Sequence, residues 1–235
     1  MTCPYRPELS LSDMPESVKK LKVDARGYPI PFFVDYLPDG TPEFRAADPK
    51  KLIACVKKSL CWVCGEPLNR SRLGFKATIA FTIGPMCAVN RISSEPPQHP
   101  ECAEWSARNC PFLARPHMRR REDELINAKQ FEDEDVQRGH AILRNPGVAL
   151  VWYCAGFAIQ PTKGGPLFQV GPLTRKPTWW AEGRQATREE VLRSIDSGFP
   201  HLFAACQHEA TEQLRTAAER QLNLQLVEAL KLVPA

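Results

Sequence analysis

The sequence predicts an α+β fold, and three observations carry that expectation. Short segments rich in aromatic and β-branched residues, bounded by turn residues, occur near the start and again after residue 140. Apolar residues in the last third recur at helical spacing. Between these regions, residues 61–113 hold a dense cluster of cysteine and histidine.

Taken in order, residues 1–27 are polar and contain proline, which predicts a loose N-terminal arm with a short helix around Pro15–Leu21. Tyr28 to Tyr36 reads as a strand, Pro38-Asp-Gly-Thr41 as a turn and Pro42–Ala47 as the returning strand, anchored by Phe44. The prolines place this β-hairpin at an edge. Asp48-Pro49 then opens a helix as N-cap and first helical residue. Leu52, Ile53, Cys55, Val56 and Leu60 form its apolar side, with Lys50, Lys51, Lys57 and Lys58 mostly outside.

Lys76–Ile83 is β-rich, Ser93–Gln98 is a Pro-rich loop, and Ala103–Asn109 has helical character. Residues 115–139 change from basic, with Arg119-Arg120-Arg121, to acidic, with Glu132 to Asp135, and read as an exposed charged linker. Val148–Tyr153 is a continuous apolar run, Lys163–Pro166 a turn and Leu167–Val170 a further strand of a small sheet. Thr187-Arg-Glu-Glu190 matches a capping box. Gly198, followed by Pro200, is the expected end of that helix, and His201–Leu232 the next helical stretch. The expected organisation is therefore an arm over 1–27, a hairpin, helix and metal-binding module over 28–114, a linker over 115–139, and a sheet with C-terminal helices over 140–235.

Bulk properties exclude little. The chain has 235 residues, 43% hydrophobic and 25% charged, with 22 Pro against 13 Gly, a bias toward turns and extended connections. Net charge is +4, too mild to establish a nucleic-acid partner. No apolar run approaches the ~20 residues that span a bilayer, and the N-terminus lacks the apolar core of a secretion signal. These features predict a cytoplasmic protein without membrane association. With nine cysteines in a reducing compartment, CxxC spacing points to metal before disulfide.

The metal signal is Cys61-Trp-Val-Cys64-Gly65, followed by His99-Pro-Glu-Cys102 at a helix start. Two thiolates separated by two residues converge on one ion when the backbone forms a tight knuckle, and glycine after the second suits that turn. Residues three apart on a helix share a face, so His99 and Cys102 can meet the same ion. The expected ligands of a structural Zn2+ are Cys61, Cys64, His99 and Cys102, with Cys87 and Cys110 as alternates to His99. Three thiolates and one imidazole close a tetrahedron and leave no open position, which favours structure over catalysis. The order of knuckle, β segment, loop and HxxC helix resembles the treble-clef type of zinc finger over about fifty residues.

At the level of the whole chain, Gly27-Tyr-Pro-Ile-Pro-Phe-Phe-Val34, Cys61-Trp-Val-Cys-Gly-Glu-Pro-Leu68, Ile83-Gly-Pro-Met-Cys-Ala-Val-Asn-Arg91, Ser94-Glu-Pro-Pro97, Cys110-Pro-Phe-Leu113 and Glu182–Val191 resemble a family found in bacterial genomes and their phages. The resemblance implies a phage or prophage setting and no particular reaction.

No GxSxG, HExxH or P-loop pattern is present, and the Asp-His or His-His pair of HNH-type nucleases is missing. The leading expectation is a zinc-stabilised, non-enzymatic interaction protein acting on a host or phage protein complex. The alternative is nucleic-acid binding through Arg115, Arg119, Arg120 and Arg121, with a degenerate HNH-like nuclease behind it.

Overall fold

In a computed structural model, the described residues are 9, 11–68, 78–110, 113, 146–162 and 165–235. They form a mixed α+β fold with small antiparallel sheets and C-terminal helices. The basic segment with Arg115 and Arg119–Arg121 and the acidic run lie outside these residues. No helix among the described residues is long and apolar enough to cross a membrane.

The N-terminal segment is packed rather than loose where it is described. A one-turn helix, α1 (Glu16–Lys19), buries Val18 completely, and Met14 lies in the same core. The hairpin is present but short: β1 (Val34–Tyr36) pairs antiparallel with β2 (Pro42–Ala47). Pro29 and Pro31 lack the N–H that a longer β1 would need, and Pro29 is limited to an isolated bridge with Val23. Helix α2 (Pro49–Lys58) starts as expected, with the Asp48 side chain accepting from the Lys50 N–H. It ends at Ser59, whose φ of 53° turns the chain toward Cys61. Ile53, expected on the apolar side, is instead 49% exposed, because Cys55 on another face is the buried anchor.

The central sheet has the order β3 (Ile79–Ile83), β5 (Ala149–Cys154), β8 (Thr178–Ala181), β9 (Arg184–Gln185), all antiparallel. Every residue of β3 and β5 is buried. That explains the unbroken apolar run at 148–153, since a strand covered on both faces need not alternate. One face carries Ile79, Phe81, Leu150, Trp152 and Trp179 into the main core. The other packs Ala80, Val151, Tyr153 and Trp180 against Ala103 and Ala107 of α4 (Pro100–Asn109). Small residues on α4 let the helix lie close to the sheet. Both Trp179 and Trp180 are therefore core residues.

The short helix α3 (Pro85–Asn90) follows β3, and β4 (Ile92–Ser93) joins a second sheet of order β4, β7 (Gly165–Val170), β6 (Phe157–Thr162). The C-terminal pair is α5 (Arg188–Cys206) and α6 (Glu212–Leu230). The capping box is formed: Thr187 accepts from Glu190 N–H while the Glu190 carboxylate accepts from Thr187 N–H. The helix does not end at Gly198. It runs through Pro200, anchored on both sides by the buried residues Val191, Ser194, Ile195, Gly198 and Leu202, whose spacing keeps one face on the core. The break comes instead before Thr211, which caps α6.

Candidate metal centre

Residues 60–68 form a tight knuckle. Leu60 and Pro67 make an antiparallel bridge, Cys61 N–H donates to the Glu66 carbonyl at 2.8 Å, and Gly65 N–H to the Cys61 carbonyl at 2.8 Å. Gly65 adopts φ +74°, the left-handed conformation glycine supplies at least cost. Phe32 N–H donates to the Val63 carbonyl, and Phe33 stacks on Trp62 with ring centroids 5.0 Å apart. The residues just before β1 thus hold the knuckle from outside.

The second half of the centre is carried by α4. Gln98 is strapped to β3 by reciprocal backbone bonds with Ala80, at 2.9 and 2.7 Å, and its side-chain oxygen accepts from Thr82 Oγ1 at 3.2 Å. Trp62 N–H reaches the Pro97 carbonyl. His99 is then the N-cap of α4, and Cys102 lies in its first turn. This strapping is how donor side chains 35 positions apart in sequence come together.

The donor atoms of Cys61, Cys64, His99 and Cys102 all lie within 4.8 Å of one another. His99 Nδ1 is 3.4 Å from Cys64 Sγ and 4.0 Å from Cys102 Sγ. The other ring nitrogen, Nε2, is 3.1 Å from the Pro67 carbonyl oxygen. A carbonyl only accepts, so Nε2 carries the proton in a neutral ring and Nδ1 presents its lone pair to the sulfurs. The three cysteines are buried and His99 is half-buried.

Each sulfur also has one hydrogen-bonding neighbour outside the cluster or on its backbone. His99 N–H donates to Cys61 Sγ at 3.4 Å, the backbone of Glu66 hydrogen-bonds Cys64, and Ser17 Oγ lies 3.5 Å from Cys102 Sγ. Hydrogen bonds from Cys102, and then from Cys61, His99 and Glu66, push the Cys64 thiol strongly down. Cys102 is pushed strongly up, because in its bonds to Cys61 and Cys64 it is the partner that keeps its proton. His99 is raised to about 11, chiefly by its interaction with Cys61 and then Cys64. The cluster is an electron-rich donor set able to hold a metal ion once protons are displaced.

The alternates fall outside this group. Cys87 sits in α3, with its thiol pushed up to about 11 by burial, and Cys110 is the C-cap residue of α4. Among the described residues, these four are the one group of three or more metal-ligating side chains so gathered. Sequence spacing found the four donors but not Ser17, Pro67 or Gln98. Ser17 is 85 positions from Cys102, and neither Pro67 nor Gln98 belongs to a spacing pattern that announces a metal.

Comparison with protein-family models, with curated proteins and with solved structures finds no match to this chain.

Proposed function

We propose that the chain is a zinc-stabilised, non-enzymatic interaction protein, with one Zn2+ held by Cys61, Cys64, His99 and Cys102 in a treble-clef-like arrangement of knuckle and helix α4. The observation that carries this reading is the closed set of four donors within 4.8 Å. Zn–S bonds of about 2.3 Å and Zn–N bonds of about 2.1 Å give tetrahedral S···N edges of about 3.6 Å. The distances of 3.4 and 4.0 Å from His99 Nδ1 bracket that value. Three thiolates favour zinc over hard cations, which take oxygen ligands. With four protein ligands no position is left for water or substrate, so the metal joins the knuckle to α4 and the surfaces around it carry the function.

The partner in this reading is a protein complex of a phage or its bacterial host. The genes flanking this one test that setting, and neighbours encoding structural, replication or anti-defence proteins support it. The metal is tested by elemental analysis of the purified chain. One equivalent of zinc is expected, and less than about half an equivalent rejects the reading.

Helix α2 favours a second reading, nucleic-acid binding. Its sequence PKKLIACVKK carries four lysines and no acidic residue, and Lys50, Lys57 and Lys58 are exposed. A mobility shift that weakens steeply with salt, and that is lost in K57E/K58E or on neutralising Arg119–Arg121, selects this reading. Metal-dependent nicking of plasmid DNA selects the nuclease instead.

A further inference from the structure

We propose that Ser17 is an outer-sphere part of the metal centre, and that through it metal loading and docking of the N-terminal segment are coupled. The inference rests on the zinc reading above and assigns a role to a segment that reading does not use.

The donors to the three sulfurs are not equivalent. Cys61 and Cys64 are served by backbone N–H groups of His99 and Glu66, which belong to the loops that carry the ligands themselves. Cys102 is served by a side-chain hydroxyl, and that hydroxyl comes from α1. A metal-bound thiolate has no proton and only accepts, so in the loaded centre Ser17 Oγ–H donates to Cys102 Sγ. Three thiolates, one neutral imidazole and a divalent ion leave one net negative charge, which such donors stabilise.

The rest of α1 is joined to the same module. One residue after Ser17, the Val18 side chain is fully buried in the core that also contains Cys61, Cys64 and Cys102. Lys20 Nζ lies 2.8 Å from Glu66 Oε1, on the knuckle residue whose backbone serves Cys64. Before this turn, Met14 is buried in the same core. The N-terminal segment therefore touches the centre by an apolar plug, an ion pair and a hydrogen bond to a ligand atom. Of these, the hydrogen bond responds most directly to the metal, because Ser17 Oγ lies 3.5 Å from the ligand sulfur itself and a metal-bound thiolate only accepts.

Linkage makes the coupling reciprocal. If the docked segment favours the loaded centre, the metal favours the docked segment by the same factor. Removing an outer-shell partner of this kind weakens metal affinity by about 10- to 100-fold. One hydroxyl on one sulfur belongs at the lower end of that range.

The test uses the full chain as wild type, S17A and S17T, each titrated against a chromogenic zinc chelator, with hydrogen exchange of residues 14–21 followed before and after zinc removal. S17A is expected to bind zinc about 10-fold more weakly and to exchange faster over 14–21 when loaded. S17T, which keeps the hydroxyl, is expected to restore both. Urea unfolding of the chelator-treated forms separates a general loss of stability from an effect on the loaded centre. Equal midpoints for wild type and S17A in that state, with unequal zinc affinity, support the proposal. Equal zinc affinity of S17A and wild type overturns it while leaving the zinc centre intact. Protection over 14–21 that does not change when zinc is removed overturns the coupling. Wild-type chain that takes up no zinc overturns this inference and the zinc reading together.

Discussion

Gly65 and Phe32 approach so closely that a Cβ on Gly65 would stand 2.6 Å from Cδ2 of the Phe32 ring. The Cys61–Cys64 knuckle is thus closed twice, by the +74° φ of Gly65 and by a ring pressed against its bare Cα. G65A is expected to destabilise the chain by about 3 kcal/mol, combining left-handed strain of about 1 kcal/mol with displacement of the ring, and to lower metal content. Gly40 is the control. Its φ is +83° but a Cβ there meets nothing within 4 Å, so G40A is expected to cost about 1 kcal/mol and leave the metal in place. Equal urea midpoints for the two variants would count against a role for Phe32 contact.

The ligand set predicts which cysteines matter. C64S and C102S each remove a thiolate from the closed group and are expected to purify with little zinc and to melt well below wild type, since a structural site contributes folding energy directly. C87S and C110S are expected to keep a full equivalent, because neither sulfur belongs to the group. Zinc analysis with thermal melting checks all four. Zinc lost in C110S but retained in C102S would move the fourth ligand along α4.

The chemistry of the centre was more legible in the sequence than its scaffold. CxxCG and HxxC are local patterns whose geometry follows from a turn and a helix start, and they named Cys61, Cys64, His99 and Cys102. The capping box at Thr187 was legible for the same reason. What escaped is non-local. Gln98 straps the HxxC pair to β3 through Ala80, and Ser17 reaches Cys102 from the far end of the chain. The helix through Gly198 and Pro200 was misread because local breakers were outweighed by a buried face extending from Val191 to Leu202. Ile53 was placed inside by periodicity, but on a ten-residue helix the buried face is narrow and Cys55 occupies it. Arg115 and Arg119–Arg121 lie outside the described residues, so their role stays with the binding experiment.

Metal uptake is expected to release protons. Cys102 holds its proton through its bonds to Cys61 and Cys64, and His99 is raised to about 11 by the same sulfurs. Both must lose a proton to become ligands, while Cys64, pushed down, is already a thiolate. At least two protons per zinc are therefore expected near neutral pH, one from Cys102 and one from His99, and affinity should rise with pH across that range. Calorimetry in buffers of different ionisation enthalpy measures the number directly. A heat of binding that does not depend on the buffer would refute this protonation pattern.

The cap of α5 supplies an acid-sensitive contribution to stability that is separable from the metal. Glu190 is held at about 2, first by the Arg184 guanidinium, 2.7 Å from its Oε1, and then by the Thr187 backbone N–H. Its ordinary value is 4.5, so the folded state binds the proton less readily than the unfolded chain. The contribution is therefore present above about pH 4.5 and is lost as pH falls from there toward 2. The Glu190 side chain is 24% exposed and Arg184 49%, so screening reduces the gain to about 1 kcal/mol. E190Q is expected to lose that amount at pH 7 and to converge on wild type near pH 2. T187A is expected to lose about 1 kcal/mol more uniformly, because it deletes the hydroxyl that accepts from Glu190 N–H without deleting the charge. A zinc ion at the proposed centre would be shed in acid, so the comparison belongs on chelator-treated protein, with urea midpoints at each pH. A difference between wild type and E190Q that persists unchanged to pH 2 would show that the carboxylate's charge is not what stabilises the cap.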